Sequence, residues 1–571
     1  MSRIAPLAAV IQIDAISLPA LCLQHASIQQ GMKSETCFLT LAEKNQEKFM
    51  PLNQGSETVS SWMTIDMPRT PKLEKNQTAD VCVVGAGIAG LTTAYLLARE
   101  GKKVCVIDHG EVGSGQTGKT TAQFSTSTDN YYYNLKKYFG SRGIKIIADS
   151  LKASIELVTS IVKNENIDCD LEHVPGFLFQ NNRETDLLEK ELAAAHEAGL
   201  ADVKMADHAP FSSFNTGPCL CFPQQLQLHP LKYLRGLAQA IQKLDGKIYT
   251  YTHIDRVEDG DFPIVHTSES NHIKAKAVVV CTNSPINNFV KIHTKQAPYR
   301  SYVIGILTPK GSLPKALYWD TEDPYHYLRV EHENDIHDVL LVGGEDHKTG
   351  QGLSPHLCFG RLEEWARRRF PTLGHVLYRW SGQVMEPIDG IGFMGKSPGD
   401  QNTYIITGDS GDGMTQTTIG AMIVKDLILH QSNPWAELYK PGRITLRAAG
   451  TFLKENANVA AQYADWLSGE NEQAVQDLSR QEGLILSHGL KKIAVYKDEE
   501  GRLEMHSAVC THLGGILSWN SVEKSWDCPC HGSRFDCHGK VMEGPAVDNL
   551  KPFEEKEISK ISVNQLSNLN S

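Results

Sequence analysis

"TADVCVVGAGIAGLTTAYLLAREGKKVCVIDHG", residues 78–110, decides the fold of the first part of the chain. Val81–Val84 is a short, largely β-branched run that reads as a buried strand. A helix starts near Ile88 and is closed by Gly101, and "KKVCVID" is the next strand. Gly85, Gly87 and Gly90 stand between the first strand and the helix as G-x-G-x-x-G. The first lets the chain turn, the second lets a pyrophosphate approach the backbone, and the third lets the helix pack closely. The helix amino terminus then faces the phosphates. Asp108 ends the second strand about 20 residues on, where a carboxylate accepts hydrogen bonds from ribose hydroxyls. Strand, turn, helix and acid together predict dinucleotide binding. They do not separate a nicotinamide from a flavin cofactor.

At 571 residues the chain exceeds what one hydrophobic core organises, so two or three domains are expected. The net charge of −11 argues against a nucleic-acid partner, which calls for basic surface. Thirteen cysteines are few for this length, and most stand singly in apolar runs, as Cys82, Cys105 and Cys281 do. That pattern fits buried thiols in a reducing compartment, so a cytoplasmic location is expected. The apolar stretch at 3–24 is interrupted by Pro6, Gln12, Asp14 and Pro19 and preceded only by Arg3, which suits neither a leader nor an anchor. Residues 1–76 are expected to be a poorly ordered extension, with targeting left open, and no later segment is long and apolar enough to span a bilayer.

From about 140 to 205 the pattern is mainly helical, "LLEKELAAAHEAGL" most clearly. "LHPLKYLRGLAQAIQKLDGKIYT" at 228–250 gives a helix and a strand, and "AKAVVVCTN" at 275–283 a buried strand. Residues 298–345 are richer in strands. "TYIITGDSGDGMTQTTIGAMIVKDLIL" returns to strand, glycine turn and helix, and 436–480 reads as a polar helical connector.

The last part holds "AVCTHLGG" at 508–515 and "WDCPCHGSRFD" at 526–536. Each loop carries one thiol and one imidazole at close spacing: Cys510 with His512, and Cys528 with His531. Common zinc modules pair cysteine with cysteine and histidine with histidine. Two loops of mixed donors suit two irons, one held by sulfur and one by ring nitrogen, which is the ligand division of a Rieske [2Fe–2S] centre.

Two resemblances follow. "GSGQTGKTTAQFS" at 113–125 follows Asp108 where a nicotinamide enzyme would usually add further βα units, and a second glycine turn, "TGDSGDGM", comes at 407–414. With "HP" at 229–230 and "WSGQVMEPIDGIGFMG" at 380–395, residues 77–430 resemble the FAD-dependent oxidoreductases of the D-amino-acid oxidase superfamily, which includes glycine and sarcosine oxidases. The resemblance implies an ADP site at Gly85, Gly87, Gly90 and Asp108. It puts Gly115, Thr117, Thr120 and Thr121 along the pyrophosphate and flavin, and Gly408, Gly411, Gly413 and Met414 near the pyrimidine end of the ring. Members with covalent flavin carry a cysteine near 380–389; none stands here, which implies noncovalent FAD. "SAVCTHLGGILSWN" and "WDCPCHGSRFDCHGKVMEGPA" resemble Rieske domains, with Cys510, His512, Cys528 and His531 as the implied metal ligands. Respiratory-chain members often brace the loops with a disulfide, one half of which follows "CTHLG". Gly515 stands there, leaving Cys530 without its usual partner and Cys537 as a conceivable substitute. Ser533 matches a serine that donates to cluster sulfur, whereas Phe535 replaces the tyrosine of high-potential members.

The expected architecture is an α/β Rossmann-type FAD-binding domain (77–140, 225–297, 380–430) interleaved with an antiparallel-sheet substrate domain (141–224, 298–379). The oxidoreductase part runs to 435, and the connector 436–480 leads to an all-β Rieske domain at 481–571. The expected activity is oxidation of a C–N bond in an amine or amino acid. Electrons would pass between FAD and the cluster, and on to an unidentified one-electron partner. A redox sensor or carrier without a dedicated substrate is the alternative. No catalytic acid or base stands out. In this superfamily Arg and Tyr from the second domain often hold a substrate carboxylate, and Tyr325, Tyr327 and Arg329 alternate along "YHYLRV" in a way that would suit this, although core tyrosines and a surface arginine are the plainer reading. A Rieske oxygenase would need mononuclear iron, for which "RVEHENDIHDV" offers His332 and His337; its polarity and position read instead as a solvated hairpin loop.

Overall fold

The structure is a computed structural model that describes residues 58–180, 186–286, 292–352, 354–467, 477–488 and 491–553. The apolar stretch at 3–24 and the rest of 1–57 lie outside the described residues, as do 468–476 of the connector and the tail from 554.

Val81–Val84 and Val104–Ile107 are buried without exception, as strands covered on both faces must be. They belong to an eight-stranded sheet whose main path runs Phe393–Lys396, Thr403–Thr407, His272–Val280, Gln77–Val84, Val104–Ile107 and Lys247–Tyr249. The four central pairings are parallel, and Phe393–Lys396 adds antiparallel at the edge. Helix Ile88–Arg99 packs against helices Pro230–Lys243 and Gly413–Ile428. Parallel strands need such crossover helices.

A second sheet has nine strands. Its main path is Val376–Pro387, Gln296–Pro309, His337–Lys348, His326–His332, Leu317–Asp320, Glu172–Phe179, Cys219–Gln227 and Gln123–Phe124. Pairing is antiparallel except between Leu317–Asp320 and Glu172–Phe179. Val376–Pro387, partly assigned above to the FAD-binding segments, pairs with Gln296–Pro309 in this sheet, so the boundary at 380 cuts through a strand. His332 and His337 flank the turn of a hairpin, with the His332 side chain 52% exposed.

Residues 58–76, read above as part of a poorly ordered extension, are packed. Trp62 is 2% exposed within the main core, and Leu73 is buried against the parallel sheet. A lone tryptophan in polar sequence carries no periodic signal, so only its tertiary partners reveal it.

The carboxyl-terminal part has a three-stranded sheet, Glu482–His488, Lys491–Lys497 and Leu503–Ser507, and a four-stranded sheet, Ser518–Asn520, Ser525–Asp527, Arg534–Asp536 and Val541–Glu543. Both are antiparallel. Among the described residues no helix is long and apolar enough to cross a membrane.

Candidate functional site

One cavity runs between the two larger sheets. Three segments line it: Gly85, Gly87 and Asp108; then, in the middle by chain order, Gly115, Thr117, Thr120 and Thr121; and Gly408, Gly411, Gly413 and Met414. Gly90 alone among the residues expected there is not in the wall. A Cβ on Gly90 would stand 1.9 Å from the Gly85 carbonyl oxygen, so its role is the close approach of helix to turn. Asp108 accepts from the Ala86 and Gly110 amides at 2.6 and 2.8 Å, which orients it across the turn. Thr117 Oγ1 accepts from the Ile88 amide at 3.0 Å, tying the middle loop to the helix amino terminus. A wall of glycine-turn backbone, threonine hydroxyls and an oriented acid fits an FAD.

The middle loop is held from behind. The Trp62 indole donates to the Thr120 carbonyl at 2.6 Å and Ser60 to that of Gly118 at 2.6 Å. Arg329 donates to the carbonyls of Thr121, Ala122 and Leu228, pairs with Glu331 at 3.2 Å, and lies over the Trp62 ring. It is 4% exposed and outside the cavity wall. The suggestion that it holds a substrate carboxylate is therefore corrected: alternation along this unbroken strand does put Arg329 on the Tyr327 face, but Trp62 and the Thr121–Ala122 loop cover it there and its NH1 is spent on three carbonyls. Tyr325 and Tyr327 do line the cavity, with Trp319, Ser301 and Asp129.

The two cysteine–histidine loops are built alike. In each, the cysteine amide donates to the carbonyl five residues on (Cys510 to Gly515, 2.9 Å; Cys528 to Ser533, 2.8 Å). The residue four on donates back to the cysteine carbonyl (Gly514, 3.0 Å; Gly532, 3.1 Å). That turn puts Gly514 and Gly532 at φ of +76° and +82°, a region L side chains avoid. The loops bring the Cys510 and Cys528 thiols into contact and stand the His512 and His531 rings edge to face, 5.1 Å between centroids. Burial lowers the pKa of His531 to about 4, which keeps the imidazole in its neutral, metal-binding form, and its buried Nδ1 has no hydrogen-bond partner among the described residues. Two thiols, two imidazoles and an orphaned ring nitrogen fit a Rieske cluster. Ser533 Oγ accepts from the Ala546 amide at 3.0 Å and its hydroxyl donates to the Cys510 sulfur. Cys530 and Cys537 are both free thiols, so the substitute disulfide is not formed. A Cβ on Gly515 would stand 2.6 Å from Cys530 Sγ, which marks the place of the missing partner.

The carboxyl-terminal part contributes to the cavity wall, which sequence reading did not reveal. Val541, Met542, Glu543, Gly544, Ala546 and Val547 of the carboxyl-terminal part line the same cavity as the glycine turns. Gln383, 3% exposed and also in the cavity wall, donates to the Gly532 carbonyl at 2.7 Å, between His531 and Ser533. Its own Oε1 accepts from Asn283 at 3.0 Å. The His293 ring lies 5.0 Å from that of His512 and 5.9 Å from that of His531. Burial and these two rings lower its pKa to about 3, so it is neutral. A buried ionic cluster locks the parts together. Arg300, 1% exposed, pairs with Glu523 and Glu543, Arg534 with Glu523, Asp527 and Glu543, and Lys119 with Glu543. The Arg534 pairs are local to its sheet, but those of Arg300 and Lys119 join residues far apart in sequence and have no local signature.

Fold and sites together define a flavin-dependent oxidoreductase carrying its own iron–sulfur domain. The family model for FAD dependent oxidoreductases matches residues 80–427 and that for the Rieske [2Fe-2S] domain matches 471–554, and the chain belongs to the FAD dependent oxidoreductase family. YhfW of Bacillus subtilis (strain 168), provisionally described as a Rieske 2Fe-2S iron-sulfur protein, is 30% identical over 501 residues, 86% of this chain and 97% of its own length. Gamma-glutamylputrescine oxidoreductase of Escherichia coli (strain K12) is 25% identical over 62% of this chain and 85% of its own. Glycine oxidase from Geobacillus kaustophilus shares the fold over 65% of this chain and 100% of its own, with a TM-score of 0.54 at 17% identity. The cofactors are accordingly FAD and a [2Fe–2S] cluster.

Proposed function

We propose that the protein oxidises a C–N bond of an amine or amino acid and passes the electrons, through a cluster fixed beside the flavin, to an external one-electron acceptor. When bound, FAD supplies a hydride acceptor and the cluster a one-electron carrier. The FAD, held without a covalent bond, would lie along Gly85, Gly87, Asp108, Gly115, Thr117, Thr120, Thr121, Gly408, Gly411, Gly413 and Met414. Cys510, His512, Cys528 and His531 would hold the cluster.

The observation that carries this reading is the carboxyl-terminal part's share of the cavity wall: residues 541–547 face the cavity that Gly408–Met414 and Thr117–Thr121 also line. Around it, Gln383 fixes the distance between the sites, Lys119 ties the middle loop to Glu543, and Ser533 is positioned by Ala546. Tyr325, Tyr327 and Trp319 give the cavity an aromatic compartment beyond what a cofactor alone requires, which favours a substrate enzyme over a carrier.

The test begins with iron, sulfide and flavin assays on the purified protein. Anaerobic mixing with a panel of amines and amino acids follows, recording flavin absorbance and the cluster's electron paramagnetic resonance signal. Flavin bleaching followed by a reduced-cluster signal is expected. Bleaching without cluster reduction would end the relay; no bleaching across the panel would favour the carrier.

A further inference from the structure

Beyond the flavin contacts, the cavity carries a charge pattern that selects among C–N substrates. Asp129 lines it, and Asp346 lies alongside. Tyr325 OH stands 3.5 Å from Asp129 Oδ2 and 3.2 Å from Asp346 Oδ2, so one hydroxyl proton serves two carboxylates. Ser301 Oγ donates to Asp346 Oδ1 at 2.5 Å and lies 2.8 Å from Tyr327 OH. The Tyr325 hydroxyl is the one hydrogen-bond donor to the Asp129 side chain among the described residues. Of the two acids only Asp129 lines the cavity, where its carboxylate is exposed and has one distant protein donor, so an entering N–H group can reach it while Asp346 stands behind. Desolvation by the cavity walls, then the Asp346 carboxylate, raises the Asp129 pKa to about 7, although its side chain is open to the cavity.

The walls point the same way. Tyr325 and Tyr327, 5.9 Å apart between ring centroids, and Trp319 present aromatic faces to the cavity, and such faces attract cations. Among the described residues no arginine lines the cavity, and Lys119 is paired with Glu543. A substrate carboxylate would meet like charge and find no partner.

We propose that the substrate is an alkylammonium cation with no carboxylate on the reacting carbon, held by Asp129 and Asp346 against Tyr325, Tyr327 and Trp319. This rests on the amine-oxidising reading above and narrows it. The substrate R–CH₂–NH₃⁺ gives its ammonium proton to Asp129. The neutral amine would then lose a hydride from its carbon, for which bound FAD would be the acceptor, and leave as R–CH=NH₂⁺; a one-electron acceptor would take up the two electrons.

The test uses holoenzyme and two probes that share a tert-butyl group and lack hydrogen on the carbon next to the functional group: tert-butylammonium and pivalate. Calorimetric titration near pH 7.5 is expected to give tert-butylammonium a Kd at least ten-fold below that of pivalate. Asp129→Asn is expected to weaken the cation ten-fold or more and Asp129→Glu to retain it, with flavin content and thermal midpoint reporting whether each variant folds. Equal or tighter binding of pivalate by the unaltered protein overturns the proposal and needs no variant. So does an Asp129→Asn protein that folds and binds the cation unchanged. Anaerobic bleaching by n-butylamine but not by 2-aminopentanoate supports it. Bleaching by 2-aminopentanoate alone overturns it while leaving C–N oxidation standing. No bleaching by either, with tert-butylammonium bound, would sink the oxidising reading and leave the cation site.

Discussion

Replacing Arg300 by methionine should undock the iron–sulfur domain. Arg300 lies in the strand Gln296–Pro309 and reaches Glu523 with Nε at 3.0 Å and NH2 at 2.8 Å, and Glu543 with NH1 at 3.5 Å. The buried cluster holds three cations, Arg300, Arg534 and Lys119, and three anions, Glu523, Asp527 and Glu543, and so is neutral. Arg300→Met leaves one uncompensated negative charge out of water. Removing one partner of a buried pair costs about 3–5 kcal/mol. Because Arg534 still serves both glutamates, the lower end, about 3 kcal/mol, is expected, or about 100-fold in the docking equilibrium. Removing Glu523 as well, in Arg300→Met/Glu523→Gln, restores neutrality and should recover most of the loss. Hydrogen exchange of the Val541–Glu543 and Gln296–Pro309 amides, with chemical unfolding of both variants and of Glu523→Gln, completes the cycle. A loss below about 0.5 kcal/mol for Arg300→Met, or no recovery in the double variant, would refute the charge-balance reasoning.

Gln383→Leu removes the bond to Gly532 and leaves that carbonyl unpaired. Electron transfer from flavin to cluster should slow about ten-fold in stopped-flow, for roughly 1.4 kcal/mol of lost positioning, with the cluster's resonance g-values unchanged. Phe535→Tyr adds a hydroxyl beside the buried cysteines. A hydrogen bond to a charged group is worth about 1.5 kcal/mol, so a redox titration should show the cluster potential rise by about 60 mV, and no shift would remove Phe535 from the sulfur's reach. Asp129 and Glu386, facing one another's carboxylates across the cavity region, have pKa values raised to about 7 and about 8, chiefly by desolvation. The folded flavin-free protein therefore holds their protons more tightly than the unfolded chain, and its thermal midpoint should fall as pH rises from about 4 to about 8. Asp129→Asn/Glu386→Gln should flatten that slope. Asp527 and Glu543 are shifted the other way, below the usual carboxylate range by Arg534 and by Lys119 with Arg534 respectively. The domain contact should hold to below pH 4 and be lost only under stronger acid.

Residues 78–110 and the two cysteine–histidine loops were readable because their chemistry is local. A phosphate turn spans a few residues of backbone, and each loop closes on itself between Cys510 and Gly515 or Cys528 and Ser533. Spacing in the chain is there nearly spacing in space. From that, sequence determined the cofactor classes, the strands that carry them, and every expected residue of the cavity wall but Gly90. Tertiary structure alone decided how the parts meet. Arg329 turns to the Thr121 and Ala122 carbonyls because Trp62 and that loop arrive from elsewhere in the chain, and Trp62 is core only because they do. Asp129 faces Asp346, and Gln383 reaches Gly532, across separations that carry no periodicity or motif. Side-chain alternation predicts the face of a strand; it cannot say which distant element will cover that face, and the charge of the substrate compartment and the contact between flavin and iron sites depend on that choice.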